Sequence, residues 1–184
     1  MVPQTVLDKS AGGSGRSRCD HEKHRDRQHV RQDPAFSLWR KRGRKTQAIG
    51  RSRGGWTTKI HALSDALGRP YALIATPGNV SDIKAAPLLL DHSRSIRYLL
   101  ADKGYDANGL RKSLREAGAV LVIPGRRNRK RKVVYDKPRY RERHRIENAF
   151  CRLKDFRRVA TRYDKLAINF LSGVALATLL AYWL

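Results

Sequence analysis

From residue 47 onward the sequence predicts an α/β fold, a mixed sheet flanked by helices. Three observations predict it. Short apolar runs with strand character recur along the chain, helical runs with turn residues at their ends separate them, and composition changes abruptly near residue 50. Residues 1–49 are rich in Arg, His, Gln, Gly and Ser and show no sustained apolar period of 2 or 3.6. The expected division is therefore a basic, disordered N-terminal segment over residues 1–46 and one folded domain over residues 47–184.

The elements follow in order. Thr-Thr-Lys-Ile-His-Ala-Leu alternates as a strand, Asp-Ala-Leu-Gly-Arg-Pro supplies a turn, and Tyr-Ala-Leu-Ile-Ala-Thr returns as the second strand of a hairpin. Ser81 and Asp82 are cap candidates for a short helix interrupted by Pro87. Arg-Tyr-Leu-Leu-Ala-Asp is a short buried strand ending on Asp102. Leu110 and Leu114 mark a helix that stops at Gly118, with Asp106 as its cap candidate. Ala-Val-Leu-Val-Ile is a buried strand ended by Pro124 and Gly125. A long helix is expected from Pro138 to Arg158, and an apolar helix closes the sequence.

Charge narrows the partners. Lys and Arg number 40 against 16 Asp and Glu, giving a formal charge of +24 and a pI near 11.0. Such an excess points to a polyanion, nucleic acid before an anionic membrane. Cys19 and Cys151 make neither a disulfide framework nor a metal set, which reads as a reduced, cytoplasmic protein. Cys19, His21 and His24 resemble half a zinc site, but no second pair follows, so chance in a His-rich segment explains them. His61 reads as a satisfied strand histidine. Residues 166–184 form an uncharged run of membrane-span length, but Asn169 and Ser172 and the absence of a flanking charge beyond it favour a buried helix over a span.

Two carboxylates stand out. At 100° per residue, Arg143, Glu147 and Lys154 lie at about −60°, −20° and −40° from Tyr140, one narrow stripe beside the apolar face of the long helix. Glu147 either pairs with Arg143 four residues back or serves as a ligand at the rim of the core. Asp102, at the carboxyl end of a buried strand and followed by Gly104, is placed to hold a hard cation; a turn-capping role is the alternative. Carboxylates beside a basic surface suit two-metal phosphodiester chemistry. Arg126, Arg127, Arg129, Lys130, Arg131 and Lys132 crowd one loop and repel one another unless phosphates neutralise them, so this loop is expected on a DNA backbone.

The spacing Tyr140, Arg143, Glu147, Lys154, with the blocks ADKGYD, GRSRGGWTTKIHALSDALGRP, IPGRRNR and FRRVATRYDKLAINFL, resembles the DDE transposases of bacterial insertion sequences that carry the YREK signature. The resemblance covers roughly residues 47–184. It implies an RNase H-like fold, with Asp102 and Glu147 as catalytic and metal-binding carboxylates and Mg²⁺ or Mn²⁺ as cofactor. Strand cleavage and transfer on double-stranded DNA, at transposon ends and target, is the activity implied. Tyr140, Arg143 and Lys154 would contact end DNA, with homo-oligomerisation on DNA left open and no membrane role.

The same family pattern requires a first aspartate on a strand before GRSRGG, within a motif such as Ile-Asp-Ser-Thr. Asp26 and Asp33 lie in a stretch too polar for that strand, so the sheet is expected to lack its first strand. Asp26 to Val30 can be encoded GAT CGA CAG CAC GTN, which one nucleotide later reads Ile-Asp-Ser-Thr; Pro34 to Phe36 likewise permits Gln-His-Ser. The N-terminal segment is then an out-of-frame translation and the enzyme impaired. The alternative is a non-catalytic DNA-binding protein or inhibitor of transposition.

Overall fold

A computed structural model describes residues 4–11, 44–52, 55–93 and 96–184, with backbone alone for 4–11, 44 and 45. Cys19, His21, His24, Asp26 and Asp33 lie outside the described residues. The strands are β1 (Gln4–Ala11), β2 (Gly50–Ser52), β3 (Gly55–Ser64), β4 (Pro70–Pro77), β5 (Tyr98–Ala101) and β6 (Val120–Val122). The helices are α1 (Arg44–Gln47), α2 (Asp82–Leu90), α3 (Asn108–Glu116), α4 (Lys137–Tyr140), α5 (His144–Asp155), α6 (Arg157–Ala160) and α7 (Ala167–Tyr182). Sheet order is β2-β3-β1-β5-β6, with β4 also on β3.

The expectation of a sheet without its first strand is corrected. β1 pairs parallel with β5, Gln4 opposite Tyr98 through Leu7 opposite Ala101. β5 in turn pairs parallel with β6, Tyr98 opposite Val120. The apolar run that supports β1, Val6 and Leu7, is too short for a periodicity test, which is why residues 1–46 read as featureless.

The chain divides into two compact units, Met1–Asp8 with His61–Ala72 and Ser81–Ala149, and Lys9–Ile60 with Leu73–Val80 and Phe150–Leu184. In the first, Leu63, Leu89, Leu99, Leu100, Ile123 and Ile146 are wholly buried. The β3–β4 turn is set by Asp65, whose carboxylate accepts from Leu67 N–H and Arg69 N–H, each at 2.9 Å. Gly68 there adopts φ +84°, open to glycine at little cost. α2 runs through Pro87 to Leu90 rather than breaking there. α3 ends as expected, with Gly118 at φ +80° and its N–H on Arg115 O at 2.9 Å.

In the second unit, Ile60, Leu153 and Phe170 form the core around a buried arginine. Arg162 is 2% exposed and donates to Thr58 Oγ1, to Gln47 O at 2.7 Å, to Asp164 O at 3.0 Å and to Lys165 O at 3.2 Å. Its guanidinium lies 5.0 Å from the Phe170 ring centroid. Burial pulls its pKa down to about 10, against the attraction of Asp164. α7 is buried on one side only, through Phe170, Val174, Ala177 and Thr178; Ile168, Leu176, Leu180 and Trp183 face solvent. The closing helix, expected as buried rather than membrane-spanning, is thus half-buried. Among the described residues no helix is long and apolar enough to cross a membrane.

Candidate carboxylate site and nucleic-acid interface

β5 places Asp102. Leu99, Leu100 and Ala101 are fully buried, and the next residue leaves the sheet half-exposed. Asp102 Oδ1 accepts from Gly104 N–H at 2.6 Å and so caps the 3₁₀ turn Lys103–Tyr105. Tyr105 anchors that turn, since its ring is wholly buried and its hydroxyl lies 2.9 Å from His61 Nδ1. His61 is the satisfied strand histidine expected. Arg126 holds the turn from another element, its Nη2 donating to Gly104 O at 2.8 Å and its Nε to Lys103 O at 3.2 Å.

Asp106 is not the cap of α3, a correction. Ala107 occupies the cap position, and the Asp106 side chain is fully buried among arginines. Arg111 Nε donates at 2.6 Å, Arg129 Nε at 2.6 Å and Nη2 at 2.7 Å, and Arg126 N–H at 2.7 Å. Burial alone would push the Asp106 pKa up, but the hydrogen bonds from Arg129, Arg126 and Arg111 hold it well below the usual carboxylate range. Sequence reasoning missed this hub; three arginines within reach of one aspartate cannot be read from spacing of 5, 20 and 23 residues.

The basic loop consequently has two kinds of residue. Arg126 and Arg129 are committed to the Asp102 turn and to Asp106, whereas Arg127, Lys130, Arg131 and Lys132 are exposed.

The long helix is segmented, another correction. A 3₁₀ turn, Arg141–Arg143, lies between α4 and α5, and α5 ends at Asp155. A 3₁₀ turn eclipses residues three apart, which brings Arg143 over Tyr140 with its guanidinium 5.6 Å from the ring centroid. Arg143 also forms an ion pair with Glu147, whose side chain is 52% exposed. Tyr140, Arg143 and Glu147 are therefore brought together, and Lys154 stands two turns further along α5, half-buried, with burial drawing its ammonium pKa down.

The carboxylate oxygens of Asp102 and Glu147 are donors of the type that suits a hard divalent ion. Among the described residues no group of three or more His, Cys, Asp or Glu gathers as a metal site. Asp8 does stand one residue beyond Leu7, as Asp102 stands one beyond Ala101, so the β1 register brings the two backbones alongside. Thr-Val-Leu-Asp and Tyr-Leu-Leu-Ala-Asp share one form, an apolar run ending on aspartate, and that likeness was the available signal for Asp8.

β5, an interior parallel strand, ends on Asp102 beside a basic loop, the placement that the resemblance to DDE transposases implies. The chain belongs to that family, since residues 20–184 match the one described as "Transposase DDE domain". Among its relatives is a protein described as a transposase for insertion sequence element IS6501, from Brucella ovis. The two are 37% identical over 125 residues, covering 66% of this chain and 94% of that one. A second, described as a transposase for insertion sequence element IS402 from Burkholderia cepacia, is 31% identical over 121 residues, covering 60% of this chain and 55% of that one.

Proposed function

We propose that this chain binds the double-stranded DNA of insertion-sequence ends and target in the cytoplasm, as a transposase whose strand cleavage and transfer are impaired. The single observation that supports the reading best is Asp102 at the carboxyl end of β5, in a turn fastened to the basic loop by Arg126. Asp102 and Glu147 are the proposed catalytic carboxylates for Mg²⁺ or Mn²⁺, within an RNase H-like domain. Tyr140, Arg143 and Lys154, the YREK residues, and exposed Arg127, Lys130, Arg131 and Lys132 are the proposed DNA contacts; homo-oligomerisation on DNA belongs to the same reading. Two-metal chemistry needs ions held in position throughout the displacement, and a site short of one carboxylate loses that. The Arg143 partner on Glu147 also favours the second reading, a non-catalytic DNA-binding protein.

The discriminating experiment incubates the purified chain, and its Glu147→Gln variant, with a duplex carrying the terminal sequences of the element and Mg²⁺. Binding without joining is expected of both. Appreciable joining that Glu147→Gln abolishes refutes the impairment, and Asp8→Asn then shows whether Asp8 is the third carboxylate. The nucleotide sequence around codons 20–40 tests the out-of-frame origin of that segment: no Ile-Asp-Ser-Thr in the shifted frame would end the idea.

A further inference from the structure

An open cavity of about 340 Å³ lies along α3, outside the Asp102 turn. Asn108, Arg111, Lys112, Arg115 and Glu116 line it at helical spacing, one face of α3, and Arg129 closes it from the basic loop. Its floor is rigid. Arg111 is 4% exposed and donates from Nε to Asp106 at 2.6 Å and from Nη2 to Ile123 O at 2.7 Å. Arg129 donates to Asp106 and, at 2.8 Å, to Asn108 Oδ1. Its rim is formed by the long exposed side chains of Lys112 and Arg115, opposed by one acid, Glu116, 3.8 Å from Lys112 Nζ.

We infer that this groove is a second contact for the phosphodiester backbone of DNA, continuous with the exposed bases of the loop through Arg129. The inference rests on the DNA-binding reading and extends it to Lys112 and Arg115, which no motif singled out. Asp106 holds Arg111 and Arg129 in the floor, while Lys112 and Arg115 stand exposed on the rim, where a strand lying along the surface meets them. No aromatic ring lines the groove, and the Asn108 carbonyl oxygen is occupied by Arg129, so the contact is with backbone phosphates and carries little sequence choice.

The test measures binding of a short random-sequence duplex by the full chain across about 50–300 mM salt, where each phosphate contact contributes about 0.9 to the slope of log affinity on log salt. Lys112→Gln with Arg115→Gln is expected to lower that slope by about 2 while leaving the melting temperature unchanged, since both side chains are exposed. Glu116→Gln, which removes the opposing charge, is expected to tighten binding a few-fold and carries the test should the double variant fail to fold. An unchanged slope and an unchanged Glu116→Gln affinity, with Lys130→Gln, Arg131→Gln and Lys132→Gln still lowering the slope, overturn the groove and leave the loop reading standing. No binding by the unaltered chain overturns both.

Discussion

Asp106 is a buried anion whose charge is matched by Arg111 and Arg129 and by the N–H of Arg126. The unfolded chain takes up a proton there near the ordinary pKa, about 4, while the folded chain does so only well below it. Acid therefore favours the unfolded state in that window. The stabilisation is complete above about pH 4 and is lost as pH falls further. Asp106→Asn is expected to cost about 3 kcal/mol at neutral pH and to flatten the acid limb of stability, read by denaturant unfolding at pH 7 and pH 3. The hub and the Asp102 cap exchange the roles that spacing suggested. A cap is a local bond and was legible as a type of feature, whereas the choice between Asp102 and Asp106 depended on Arg126 and Arg129, which the fold alone brings near. Glu147 was legible in both its readings, and its ion pair with Arg143 is the simpler of them.

At the scale of elements, the β3–β4 hairpin and α3 show where a glycine is required by its neighbours and where only by its backbone. A Cβ at Gly68 would sit 2.8 Å from Arg145 Cβ and 3.0 Å from Arg145 O, while one at Gly118 meets nothing within 4 Å. Both have positive φ. Gly118→Ala is expected to cost about 1 kcal/mol from backbone strain, and Gly68→Ala clearly more, because the hairpin must also shift from α5. Chemical denaturation of the two variants measures the difference. The strands β3 to β6 were legible because their apolar runs end in Gly, Pro or Asp. α7 was legible as a helix but not as half-exposed: only Asn169 and Ser172, both in its first half, mark its outer face, so hydropathy could not separate Leu176 from Val174. The 3₁₀ turn at Arg141–Arg143 was not legible, since nothing in a run of charged residues distinguishes it from α-helix.

For the whole molecule, a formal charge of +24 predicts that the proposed association with DNA is strongly salt-dependent, and only part of that charge is available. Arg111, Arg126, Arg129 and Arg162 are engaged by buried or turn oxygens. Arg162→Ala is expected to destabilise the chain by about 3 kcal/mol through the orphaned Gln47 and Asp164 carbonyls, with DNA affinity unchanged under folding conditions. The exposed loop bases carry the opposite expectation. Replacing Arg127, Lys130, Arg131 and Lys132 together by Gln and titrating duplex DNA across salt tests the central claim, that this surface beside Asp102 holds the DNA backbone. The account predicts an unchanged melting temperature with a salt slope lower by about 4, and an unchanged slope would contradict it.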